Sequence, residues 1–114
     1  MSILARMDLP LRLVVFTLLF PASLTSKAAD QATLKLGRSL FTAEASPPCA
    51  VCHTLADAGA SGSIGPELDV LMPSSERVAT AIRGGIGVMP AYEALTAEQV
   101  SAIALYVSTV AGSR

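Results

Sequence analysis

The chain has 114 residues, enough for one domain. It is 52% apolar, 15% charged and 4% aromatic, and its 8 basic and 9 acidic side chains leave a formal charge of -1. No basic excess exists to neutralise phosphates, which excludes a nucleic-acid binder acting through bulk charge. The apolar content excludes a disordered tail.

The N-terminus reads as a different kind of polymer from the rest. Arg6 and Arg12 precede the largely apolar run 13–20, Pro21 breaks it, and a small-residue polar stretch, 22–28, follows. A basic region, a short apolar run and a small-residue site are the marks of a secretory signal peptide. Ser26 and Ala28 suit the two small-residue positions before a cut, so cleavage is expected after Ala28, leaving 29–114 as the domain. The run falls short of the roughly 20 apolar residues a bilayer span needs, so no stable membrane span is expected after cleavage. The remaining chain keeps 5 basic and 8 acidic side chains, a net of -3. A domain that short commonly needs a disulfide, a metal or a cofactor to complete its core.

Three segments then carry helical spacing. The first covers about 31–43, with Leu34, Gly37 and Phe41 on one face, Leu40 beside them, and Pro47 and Pro48 as the stop. The second starts at Ser74 or Ser75, either a good N-cap, places Val78, Ala79 and Ile82 on one side, and stops at Gly84. The third opens on Thr96 with Gln99 three residues on, a capping-box signature. Val100, Ile103, Ala104, Val107 and Ala111 follow as an apolar stripe, and Gly112 ends it. No run alternates long enough to predict a sheet. The loops 57–66 and 84–92 are long for so small a domain, which points to a functional role or to a group that fills the middle.

Cys49-Ala50-Val51-Cys52-His53 is C-x-x-C-H, the c-type haem attachment motif. Two thiols three positions apart suit the two vinyl groups on adjacent edges of a porphyrin, and the adjacent imidazole then lies under the iron. Three other readings share these residues. A thioredoxin-like dithiol expects a βαβ context, and no strands are evident. A structural zinc site needs four ligands, and the chain offers two cysteines and one histidine. A plain disulfide suits an exported protein. Because His53 is the single histidine, a second axial ligand must be methionine, water or something weaker. Outside the leader the methionines are Met72 and Met89. Met89 is favoured, since it lies in a glycine-rich loop whose backbone can approach a flat ring, and a thioether paired with histidine raises the haem potential.

The ordered set Gly37-Arg38-Ser39-Leu40-Phe41, Cys49 to His53, Ile64-Gly65-Pro66-Glu67-Leu68, Met89-Pro90 and a closing helix with Tyr106 resembles the small bacterial class I cytochromes c. The resemblance covers nearly all of the domain. It implies an all-α cytochrome c fold, three to four helices around one covalently attached haem c. It implies thioethers at Cys49 and Cys52, His53 and Met89 as axial iron ligands, and a Pro66 carbonyl holding the other ring nitrogen of His53. It also implies that Gly37 and Phe41 meet the last helix near Tyr106. The apo chain is expected to be largely unfolded, because the cofactor supplies the missing core.

The function this implies is a periplasmic one-electron carrier, not an enzyme, with no catalytic residues. Its partners would be redox proteins such as a periplasmic dehydrogenase and a terminal oxidase or another cytochrome. The alternative is a dedicated cytochrome subunit of a periplasmic dehydrogenase, for example a sulfite dehydrogenase, which needs an exposed apolar patch at the haem edge. A third reading, a haem ligand binder, needs an open sixth site. No ring of lysines is present to dock an acidic partner, since the domain has one lysine, Lys35. The acidic balance instead favours a partner with a basic or apolar docking patch.

Overall fold

The computed structural model describes residues 23–113. The apolar run 13–20 of the expected signal peptide lies outside the described residues. Among the described residues four α-helices carry the fold: α1 (Ser23–Ser39), α2 (Leu68–Leu71), α3 (Ser75–Gly84) and α4 (Ala97–Val110). The all-α expectation therefore holds.

Helix α1 begins eight residues before the expected start at Gln31. Between Ser23 and Gln31 there is no glycine or proline, and Leu24, Lys27 and Ala28 are good helix formers. The helix also changes character before its expected end. Residues Leu40–Glu44 form a π turn closed by the Ala45 N–H on the Leu40 carbonyl at 3.0 Å. Thr42 Oγ1 donates to the Arg38 carbonyl at 2.9 Å within this turn, and Ser39 Oγ donates to Glu44 Oε1 at 2.6 Å. The extra residue of the turn lets adjacent Leu40 and Phe41 both enter the core.

Helix α4 starts as the sequence predicts. Thr96 Oγ1 accepts from the Gln99 N–H at 3.2 Å, and Gln99 Oε1 accepts from the Thr96 N–H at 2.9 Å. The predicted stripe is buried from Val100 to Val107, but Ala102 and Tyr106 are buried too, on a second face. That face receives α1. A Cβ on Gly37 would overlap the Ala102 carbonyl oxygen and sit 2.6 Å from Tyr106 Cβ, so only a glycine permits this crossing. Phe41 meets Tyr106 edge-on, with ring centroids 6.1 Å apart. Tyr106 then donates its phenol proton to Asp57 Oδ2 at 2.6 Å, and Arg38 donates to the Asp57 carbonyl at 3.0 Å. Burial first, and Asp57 second, push the Tyr106 phenol well above the ordinary tyrosine range.

A two-residue ribbon, β1 (Thr54–Leu55) against β2 (Ala60–Ser61), is antiparallel and turns through Gly59 at φ 63. Two residues are too few to show alternation in a sequence. Asp69, only 6% exposed, ties this ribbon to the C-terminus. Its Oδ2 accepts the Ala56 N–H at 2.8 Å, and its Oδ1 accepts the Gly112 N–H at 3.1 Å. Helix α3 is capped by Ser74 Oγ, which accepts from the Arg77 N–H at 3.2 Å, so Ser74 is the N-cap of the two candidates. No helix among the described residues is long and apolar enough to cross a membrane.

Candidate haem site

Pro48 directs the chain into a 3-10 turn, Cys49–Val51, that gathers the motif. The N–H groups of Cys52 and His53 both donate to the Cys49 carbonyl, at 3.1 and 3.0 Å. Loop 57–66 then folds back over this turn. Its Gly62 packs on the backbone of Val51, Cys52 and His53, where a Cβ would come within 2.6 Å of the Val51 oxygen. Gly65 donates its N–H to the Cys52 carbonyl at 2.7 Å and lies flat against the His53 ring. Pro66 follows, and its carbonyl accepts the Nδ1–H of His53 at 2.8 Å. That bond fixes the tautomer and leaves Nε2 as the basic nitrogen.

These elements wall an apolar cavity of about 660 Å³. Cys49, Cys52, His53, Pro66 and Met89 all line it. Phe41, Ile82, Ile103 and Val107 supply part of the wall from the π turn, α3 and α4. Both cysteines are free thiols. Burial pushes the Cys49 thiol up to about 11. Met72, the other candidate, stands elsewhere: it is 65% exposed and its sulfur packs against Gly112. Met89 is half-buried and its backbone exchanges both hydrogen bonds with Ile86, at 3.1 and 2.9 Å. Gly85 sits under this bridge at φ 69, where a Cβ would meet the Met89 oxygen at 2.7 Å.

Two contributors escape a reading of the sequence by motif. Gly62 is one of several small residues in loop 57–66, and nothing in its spacing separates it from the exposed Gly59. Tyr92 lines the cavity and donates its phenol proton to the Pro47 carbonyl at 2.9 Å. Burial, followed by the charges of Cys49 and Cys52, pushes that phenol up to about 12. Its position three residues after Met89 was the available signal.

A family model described as cytochrome c oxidase, cbb3-type, subunit III matches residues 32–107. The chain belongs to this c-type cytochrome family. A crystal structure of the c-type cytochrome SorU from Sinorhizobium meliloti is 58% identical, with a TM-score of 0.71. The alignment covers 72% of this chain and 94% of that one. A comparison with curated proteins finds no match. This small class I cytochrome thus carries covalently bound haem c and transfers electrons. The residues fit the group: an apolar cavity presents two thiols and an imidazole already oriented through Nδ1.

Proposed function

We propose that the cytochrome is exported, cleaved after Ala28 and works in the periplasm as a one-electron carrier. Its haem would be bonded through Cys49 and Cys52, with His53 and Met89 as axial ligands. The observation that carries this reading is that His53 and Met89 line one cavity while Met72 lies against Gly112 outside it. Haem supplies an iron that cycles between ferric and ferrous states. The chain sets the conditions for that cycle. Pro66 holds the His53 ring and strengthens Nε2 as a donor. A thioether at Met89 favours the reduced state, and the apolar wall from Phe41, Ile82 and Ile103 disfavours the extra charge of the oxidised one. A filled sixth position limits rearrangement on electron transfer.

The test is a pair of spectra on holoprotein. The wild type should show a c-type pyridine haemochrome and the weak far-red band of methionine on ferric iron. Met89→Ala should lose that band and its high potential, and Met72→Leu should keep both. A Met89→Ala protein that keeps the band overturns this ligation.

One observation favours service as a dedicated dehydrogenase subunit. Ile64, Ile86 and Val88 stand at the cavity with 66%, 67% and 85% of their surface exposed. Exposed apolar residues grouped at a redox opening suit a close protein partner. Co-purification of a larger oxidoreductase, lost on Val88→Glu, would mark this reading over a free shuttle.

A further inference from the structure

Tyr92 joins three parts of the molecule. Its N–H donates to the Ile82 carbonyl on α3 at 2.9 Å, and its own carbonyl accepts from the Leu95 N–H at 3.2 Å. Its phenol reaches 45 residues back in the chain to the Pro47 carbonyl. Pro47 stands two residues before Cys49. The Met89 loop is therefore held at two ends by different means. At the upstream end, the Ile86–Met89 bridge is local, and it moves wherever the loop moves. At the downstream end, the Tyr92–Pro47 bond is the one hydrogen bond among the described residues between the loop 85–95 and the segment 45–53 that bears the thiols.

We infer that the Tyr92 phenol is a strap that restrains Met89 from leaving the iron, making Tyr92 a positioning residue for the distal ligand. This rests on Met89 being that ligand. Displacing a methionine by an incoming ligand requires the loop to swing away from the cavity. A swing of residues 86–91 pulls on Tyr92, and through it on the segment leading into Cys49. That segment is anchored by the buried Cys49 and by the turn behind it. Without the phenol, only the packing of the ring and the Ile82 bond resist the swing. The exposed Pro47 carbonyl can turn to water, so the fold itself loses little.

The experiment uses ferric holoprotein and imidazole, an external ligand that competes for the sixth position. Tyr92→Phe keeps the ring in the cavity and removes only the hydroxyl. Imidazole affinity, read from loss of the far-red methionine band, should rise about three- to tenfold, the range of one net hydrogen bond. Tyr106→Phe is the matched control, since it removes a phenol that bonds Asp57 from the face of α4 that receives α1, outside the cavity lining. It should lower the unfolding midpoint and leave imidazole affinity at the wild-type value. If the band is present and Tyr92→Phe leaves imidazole binding unchanged, the strap is refuted while Met89 ligation stands. If both variants raise affinity equally, the effect is global loosening, and the strap is again refuted. If the wild type lacks the band, Met89 ligation falls and the inference falls with it.

Discussion

His53 and Pro66 are joined across 13 residues by a 2.8 Å hydrogen bond, and Gly65 lies against the same imidazole ring. A Cβ at Gly65 would stand 2.5 Å from His53 Cε1 and 2.8 Å from Nδ1. The ring cannot yield without breaking its bond to Pro66. Gly65→Ala is therefore expected to lower the yield of haem-loaded protein and cost about 1–3 kcal/mol of stability, as overpacking does. Haem-to-protein ratio and denaturant unfolding of the loaded fraction check both parts.

Two helical glycines should respond with opposite signs. Gly37→Ala gains the usual helix propensity of about 0.5–1 kcal/mol. It also drives a methyl into Ala102 and Tyr106 of α4, and separating two packed helices costs more than that gain. Gly84 ends α3 with nothing within 4 Å of a built Cβ. Gly84→Ala should raise the thermal midpoint, and Gly37→Ala should lower it.

Asp69 is the second junction. Replacing it by alanine strands the N–H groups of Ala56 and Gly112, each now bound to a carboxylate oxygen. The expected loss is about 3 kcal/mol, since hydrogen bonds to charged groups contribute about 1.5–3 each and exposed ends recover some in water. Amide exchange should quicken at Gly112 before it does so in α4.

Alkali should weaken the fold through its tyrosines. The Tyr92 phenol is raised by burial first, from an ordinary value near 10 to about 12. Between these values the folded chain keeps a proton that the unfolded chain has lost. The stabilisation is complete below pH 10 and is lost as pH rises through 12. Tyr106 is raised in the same sense. Unfolding free energies measured from pH 9 to 11.5 should therefore decline, less steeply in Tyr92→Phe but not to a flat line.

Much of the site was legible because its chemistry is local. C-x-x-C-H is contiguous, Thr96 and Gln99 announce their box, and the stripe on α4 is buried where periodicity puts it. The sequence is silent where a long-range contact decides. Ala102 is buried because α1 approaches it, which a small apolar residue does not advertise. Asp69 is a lone acid between Leu68 and Val70, and its burial depends on residues 13 and 43 positions away. The π turn at Leu40–Glu44 depends on a side-chain bond from Thr42 back to Arg38, which competes with ordinary helix pairing. The expected helix start at Gln31 followed from the proposed cut, not from any breaker in the residues before it.

The crossing of Gly37 with Ala102 and Tyr106 also sets a condition on how the domain closes. The partners of Gly37 on α4 lie about 65 residues further along the chain, so α1 has nothing to close against until that stretch has been brought back to it. Over that interval the ends must be brought together across the whole intervening segment, an entropic cost borne before contacts repay it. Cys49 and Cys52 lie within that intervening segment. While the two helices are apart the sulfurs would stand open to haem, and the meeting of α1 with α4 would close the crevice behind them.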